Sequence, residues 1–409
     1  MGSFSIALTG LKAQTQALDT IGNNLANLNT TGYKDQTASF ASLFYEHTGS
    51  SGSGDALQQG LGVRVSATNS NFNQGSLSTT GIDTDMAIQG NGFFVSNNNG
   101  VQELTRSGNF QLSSTGELET TDGYAVQGYS AVNGAVNANG PLGSLTLPVG
   151  ASEAAQATSG FSMTSNLNAG AAVGDQFSSS LTVYDSLGTS HVATATFTNT
   201  GTNQWSYSIA LPGGASTGTP ANNTGTLTFN GNGNLISPSG SVNGISFPGM
   251  SDGALDLTMN WKLTDAAGNG TITQTAGASA TSASSQDGFA SGVYQSFTVG
   301  GDGTIAAQYS NGQTQTVGQL ALASVTNVEG LTLAGGNNYM TTTASGAATV
   351  GAASTGGRGS IDNDTLEESN VDISSEFSNL IVAQRGFEAN SKTITTFDTL
   401  TQETINLIR

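Results

Sequence analysis

The chain has no cysteine and only two histidines, His47 and His191, among its 409 residues. Without a thiol there is no disulfide, no thiolate zinc site and no cysteine nucleophile. Two imidazoles leave little for acid–base chemistry. Basic residues are also scarce: 9 Lys and Arg stand against 28 Asp and Glu, for a net charge of −19. Phosphate contacts dominate nucleic-acid affinity, and so few scattered cations cannot line a basic groove. The same acidity opposes binding to anionic membranes. Long apolar runs are missing too. No stretch approaches the roughly 18 apolar residues of a membrane span. Residues 1–10 show neither the basic start nor the apolar centre of a secretory signal. They match a myristoylation site only in part, because Ile6 stands where a hydroxyl residue is preferred. What is plentiful is glycine, 56 residues, on a Ser/Thr/Asn-rich background typical of β proteins with many turns. At roughly 150 residues per domain, the length allows two or three domains.

The two ends differ in pattern from the middle. Phe4, Leu11, Leu18 and Leu25 are spaced seven apart, with Ala7, Ile21 and Leu28 offset by three and Gln14 as the one polar break. That spacing predicts a helix carrying a coiled-coil stripe. Beyond Asp372 the pattern returns in Ile373, Leu380, Phe387, Ile394 and Ile408, flanked by Phe377, Phe397 and Ile405. Ser369, Asn370 and Asp372 supply N-cap chemistry just before it. A narrow stripe cannot stabilise a lone helix, so each helix needs a partner: the other end of the chain, neighbouring copies, or both.

Between the ends, short strand-like runs alternate with turn clusters. Phe93–Ser96, Gln102–Arg106, Asn109–Leu112 and Tyr124–Gly128 are one group; Gln295–Val299, Thr304–Tyr309 and Gln319–Val325 are another. A third group, from Ser179–Tyr184 to Ala254–Leu263, lies between apolar-poor stretches near 149–159 and 277–285. The expected fold is therefore mixed but mainly β, with discontinuous nested β domains. Residues 1–29 and 371–409 form a terminal helical domain, and 30–72 with 358–370 connect it to the rest. Residues 73–148 and 287–357 form a β domain, and 149–286 an inserted, barrel-like β domain.

Candidate chemical sites are weak. Gly214-Ala215-Ser216-Thr217-Gly218 fits a nucleophile-elbow pattern, but Pro212-Gly213 and Thr219-Pro220 make it a loop. The carboxylate pairs Asp83/Asp85, Asp362/Asp364 and Glu367/Glu368 lack the ladder of a calcium loop and read as solvated turns or helix N-terminal charge. Asn29-Thr30-Thr31 and Asn222-Asn223-Thr224 match glycosylation sequons, as expected by chance in an Asn/Thr-rich chain. His47 reads as a packing or surface residue, and Trp205 and Trp261 as core aromatics. No catalytic, cofactor or metal constellation emerges, and the chain reads as a non-enzyme.

Longer blocks carry more. Asn23-Asn24-Leu25-Ala26-Asn27-Leu28-Asn29-Thr30-Thr31-Gly32-Tyr33-Lys34 resembles the end of the N-terminal helix in the flagellar rod and hook axial proteins, with Gly32-Tyr33-Lys34 as a structural turn. Gly32 suits the positive φ of a helix stop. Ala87-Ile88-Gln89-Gly90-Asn91-Gly92-Phe93-Phe94-Val95, Thr105-Arg106-Ser107-Gly108-Asn109-Phe110 and Gly123 to Tyr129 resemble the family's β domain in order and spacing. Leu366-Glu367-Glu368-Ser369-Asn370-Val371-Asp372, leading into Ala383 to Lys392, resembles its C-terminal helix. Tyr184-Asp185-Ser186-Leu187-Gly188 is similar to the insertion of the hook-type members, so the hook reading stands first and a long distal-rod variant second. Ser113-Ser114 and Glu119-Thr120 depart from the family pattern in the β meander. A secreted β-rich adhesin or surface-layer protein would share the composition but has no use for paired terminal heptads.

The resemblance implies a homopolymer: a hollow, curved helical tube acting as a flexible joint between rotary motor and filament. Its implied partners are further copies of itself, a distal rod protein, a hook cap, hook–filament junction proteins and the flagellar export apparatus, through which it would leave the cell without a cleavable signal. On this reading Phe4, Leu11, Leu18, Ile21, Leu25, Leu28, Ile373, Phe377, Leu380, Phe387, Ile394 and Phe397 are assembly residues, many in contacts between subunits.

Overall fold

The computed structural model describes residues 2–50 and 56–407. Ile408, part of the C-terminal stripe, and the side chain of His47 lie outside the described residues. The chain is mainly β, with one long helix at each end: α1 (Gly2–Ala26) and α2 (Ile373–Leu407). It divides into two compact units. The first comprises residues 1–149, 296–307 and 314–409; the second comprises 150–295 and 308–313.

In the first unit, strands from the two halves of the chain interleave. Met86–Gln89 pairs antiparallel with Ser360–Asn363, and Leu77–Thr79 with Thr365–Glu367. Thr314–Ser324 lies between Ala125–Val132 and Thr349–Ala352, and also pairs with Phe93–Asn98. Phe93–Asn98 forms a hairpin with Val101–Thr105 across the turn residues Asn99 and Gly100, both at positive φ. Such turns demand glycine or asparagine, because a β-carbon is disfavoured there. An apolar centre forms where Phe93, Val95, Leu104, Ala323 and Tyr339 meet, with Phe72 set edge-on to the Phe93 ring at 5.7 Å. The sequence between Tyr33 and Phe72 adds two antiparallel pairs: Gln36–Ser42 with Val63–Ser70, and Tyr45–Ser50 with Ala56–Gly60.

The second unit has two five-stranded sheets sharing one core. One is a meander, Gln176–Tyr184, Ser190–Gly201, Gln204–Ala210, Thr224–Phe229 and Leu235–Ser237. The other is organised around Gly160–Asn168, which pairs parallel with Leu257–Lys262 and Ile272–Thr275 and antiparallel with Ala280–Gln286. Alternate residues point inward along each strand, the period-2 signature of a sheet with one buried face. Trp205 and Trp261 are both fully buried in this core, the Trp261 ring stacked on Phe161 at 5.9 Å.

The caps at the helix ends follow from side-chain chemistry. Asp372 Oδ1 accepts the amides of Ser374 and Ser375 at 2.8 and 3.0 Å, closing the first turn of α2. At the far end of α1, Asn27 donates to the Asn23 carbonyl, and the chain turns away through Gly32 at φ +66°.

Candidate assembly site: paired terminal helices over a buried ionic junction

The two terminal helices pack antiparallel on each other. A β-carbon on Gly10 would lie 2.8 Å from Asn390, and one on Gly386 would lie 2.9 Å from Gln14. Further along, Ala17, Ile21 and Ala383 form the buried centre of the contact, with Leu18, Leu25 and Leu380 packed around it. Small residues at the crossing let the helix backbones approach closely, while larger ones fill the flanks. Complete burial of Ile21 contributes about 1.5–3 kcal/mol.

The predicted stripe residues occupy three environments. Ile21 is buried. Leu11, Leu18, Leu25 and Leu28 are half-buried on the N-terminal side, as are Leu380, Phe387, Ile394 and Phe397 on α2. Phe4, Ile373 and Phe377 remain about half exposed, at 48 %, 45 % and 52 %. The buried face of α1 is broader than a two-position stripe, because Ala13, Ala17, Thr20 and Asn24 are buried as well. Part of the reason is that α1 also lies against the strand pair Gln36–Ser42 and Val63–Ser70. There the Val63 amide donates to Thr9 Oγ1 at 3.2 Å. Other apolar side chains of α2 stay uncovered: Ile381 and Val382 are 58 % and 71 % exposed, and Leu400 and Ile405 are exposed too. Along the same helix the hydroxyls of Thr393, Thr396, Thr399, Thr401 and Thr404 each donate to the carbonyl four residues back. Those hydroxyl protons therefore need no water.

Beneath the helix pair the three family-like blocks meet in one buried ion cluster. Lys34 Nζ donates to Glu367 Oε1 at 2.5 Å, and Arg106 Nη1 to Glu367 Oε2 at 3.3 Å. The Lys34 and Glu367 side chains are wholly buried and that of Arg106 nearly so. Remaining hydrogen-bonding capacity goes to the backbone. Lys34 Nζ also donates to the Asn73 carbonyl at 2.8 Å, and the Gly75 amide donates to Glu367 Oε1 at 2.9 Å. Arg106 Nη2 donates to the Gly90 carbonyl at 2.7 Å, and the guanidinium lies 5.5 Å from the centre of the Phe93 ring. Burial lowers the pKa values of Lys34 and Arg106, and the charge of Glu367 opposes that shift. The cluster ties the end of α1, the β meander and the approach to α2 together.

Side-chain amides complete the junction. The Tyr33 hydroxyl donates to Asn24 Oδ1 at 3.1 Å, and Asn24 Nδ2 donates to the Gln36 carbonyl at 2.8 Å. Asn370 Oδ1 accepts the Asp35 amide at 2.7 Å while its Nδ2 donates to the Asn71 carbonyl. Gly32 is forced by contact as well as by φ, since a β-carbon there would lie 2.7 Å from the carbonyl of Arg106. Glu376, in the first turn of α2, is buried, its Oε2 has no hydrogen-bond partner among the described residues, and burial raises its pKa. It borders a cavity of about 260 Å³ between the helices and the Gln36–Ser42 strand.

Two sequence expectations change here. Glu367 is not a solvated charge but the centre of the ion cluster, because two cations and a backbone amide converge on it; Asp85 is buried as well. Sequence reasoning also passed over Arg106. A signal was available, since a chain with only 9 cations holds both Lys34 and Arg106 inside its most specific motifs.

Comparison with known proteins identifies the family. Four domain families match in order along the chain: flagella basal body rod protein over residues 4–34, flagellar hook protein FlgE/F/G D1 domain over 87–160, flagellar basal body protein FlaE D2 domain over 163–289, and flagellar basal body rod FlgEFG protein C-terminal over 363–407. The flagellar hook protein FlgE of Escherichia coli is 35 % identical, over 99 % of this chain and 100 % of that protein. That of Salmonella typhimurium is 36 % identical over the same shares, and that of Treponema pallidum 34 % identical over the whole of both chains. The chain belongs to the flagellar hook protein FlgE family. It is a structural, non-enzymatic subunit of the hook, part of the extracellular flagellum. A crystal structure of Helicobacter pylori flagellar hook protein FlgE2 shares the fold, with a TM-score of 0.55 at 15 % identity over 71 % of this chain and 100 % of that one. Among the described residues no helix is long and apolar enough to cross a membrane.

Proposed function

We propose that this FlgE-family subunit polymerises through its terminal helices into a hollow, curved tube that transmits motor torque to the filament as a flexible joint. The observation that carries this reading is the set of apolar side chains that the helix pair leaves open. Phe4, Ile373, Phe377, Val382, Leu400 and Ile405 are exposed although the two helices already pack on each other around Ala17, Ile21 and Ala383. Neighbouring copies would cover them. A subunit that uses different patches on its two sides adds copies without closing, which yields a helical polymer. The internally satisfied threonine hydroxyls of α2 favour such packing, because donors that already have partners can be approached by a second helix.

In this arrangement residues 1–29 and 371–409 form the inner tube, and 30–72 with 358–370 lead outward. Residues 73–148 with 287–357, and the inserted 149–286, form β domains outside that tube. The β surfaces, rich in Ser, Thr, Asn and Gly, favour small, wet contacts that can slide as the tube bends. The ion cluster at Glu367 fixes the helix pair to the first β unit, so torque taken up by the helices passes to it through the junction. The ends of the polymer would engage a distal rod protein, a hook cap and junction proteins, after export of subunits through the flagellar apparatus. Negative-stain microscopy of polymer grown from the purified protein tests the reading. Curved hollow tubes are the expected result; straight tubes or amorphous aggregates would contradict it.

A further inference from the structure

Within the second unit, three side chains converge that the assembly function leaves unused. Asp185 lies in the turn after Gln176–Tyr184, His191 in the strand Ser190–Gly201, and Asp252 in the turn before Leu257–Lys262. His191 Nε2 lies 2.6 Å from Asp185 Oδ2 and 3.9 Å from Asp252 Oδ2, and all three atoms fall within 4.8 Å of one another. Asp185 is wholly buried, His191 nearly so, and the Asp252 side chain is 28 % exposed, which leaves a path from solvent.

We propose that Asp185, His191 and Asp252 form a binding site for a divalent transition-metal cation of the zinc class. Two carboxylates face a single imidazole, so the group carries an excess of negative charge whichever form the histidine takes. A buried carboxylate without a full complement of positive charge is costly, and a divalent ion balances both.

The second oxygen of each carboxylate is held by the backbone. Asp185 Oδ1 accepts the amides of Leu187 and Thr189 at 2.9 and 3.0 Å, and Asp252 Oδ1 accepts that of Ala254 at 3.1 Å. The two turns are tied to each other by the Leu255 amide donating to Ser186 Oγ at 2.9 Å. Each Oδ2 is thereby left facing Nε2. A tetrahedral zinc with ligands at about 2.0–2.2 Å sets its donor atoms roughly 3.3 Å apart, so loading requires side-chain shifts of under about 1 Å. One imidazole with only two carboxylates suits zinc-class ions better than calcium or magnesium, which take six or more oxygens or octahedral water-rich shells. On loading, the proton shared between Nε2 and Oδ2 leaves for Nδ1 or for solvent, and Nε2 donates its lone pair to the metal.

The test is equilibrium dialysis of the full-length monomer against zinc chloride at neutral pH, with metal content read by mass spectrometry. Cobalt(II) is substituted for its visible spectrum. Asp252→Asn and His191→Ala are measured beside the parent chain, and tryptophan fluorescence verifies that each is folded. We expect about one zinc per chain, affinity weakened at least tenfold in both variants, and a cobalt spectrum of low-coordinate type that the variants lose. Asp252→Asn alters the more exposed ligand and so decides the matter if His191→Ala fails to fold. No retained zinc in the parent, or equal binding by parent and Asp252→Asn, would overturn the proposal.

Discussion

Replacing Glu367 by glutamine removes the carboxylate that two buried cations share, leaving Lys34 and Arg106 facing a neutral amide. Breaking a buried ion pair by deleting one partner costs about 3–5 kcal/mol. Full burial of the Lys34 and Glu367 side chains means that solvent screening does not soften the loss. Two features hold it toward the lower end. Lys34 and Arg106 keep their backbone acceptors at Asn73 and Gly90, and burial already disposes Lys34 to lose its proton. For a unit of this size each kcal/mol lowers the melting midpoint by about 2–4 °C, so the expected drop is about 6–15 °C. Both tryptophans, Trp205 and Trp261, lie in the second unit, and both long helices in the first. Far-UV circular dichroism at the helical band therefore reports the first unit, and tryptophan fluorescence the second. Glu367→Gln should lower the helical transition while leaving the fluorescence transition in place. Lys34→Met, which leaves the Glu367–Arg106 pair intact, should cost less. An unchanged helical transition, or an equal shift of both signals, would show that Glu367 does not hold the first unit together.

Other consequences follow from the same geometry. Gly32→Ala places a β-carbon against the Arg106 carbonyl at a φ of +66° and should cost the first unit about 2–4 kcal/mol, read by the same helical transition. Glu376→Gln should stabilise the docked helices at neutral pH. The raised pKa means that the folded chain holds a proton the unfolded chain has already lost, over the range from the ordinary value of 4.5 up to the raised one. Stability thus falls as pH rises through that window, and the penalty is complete above it. The variant should lose that pH dependence in helical melting, apart from the part contributed by Asp35, which burial raises in the same direction. Leu11→Asp should abolish polymer formation, measured by sedimentation, while the tryptophan transition stays in place; normal assembly would count against the stripe.

Much of this architecture was legible in the sequence because periodicity and turn chemistry are local. The seven-residue spacing from Phe4 and again from Ile373 marked both helices, and asparagine and glycine marked turns such as Asn99-Gly100. Glu367 was legible only as a family-like block. Its partners lie 333 and 261 residues away, and nothing in Glu367-Glu368 distinguishes the buried carboxylate from its neighbour. The Asp185, His191 and Asp252 group was hidden for the same reason: the turn after Tyr184 was visible, but the turn that brings Asp252 to it depends on how two sheets share one core. The breadth of the buried face of α1 was equally out of reach, because it depends on contact with strands whose placement local pattern does not set.

If the terminal helices line the tube, neighbouring copies cover the apolar side chains that the helix pair leaves open. A helical reconstruction of the assembled polymer by electron cryomicroscopy tests it most directly. The expected map has α1 and α2 at the innermost radius, with Phe4, Ile373, Phe377 and Val382 buried between subunits. A polymer whose wall is built by β units alone, with those four side chains still open to solvent, would contradict it.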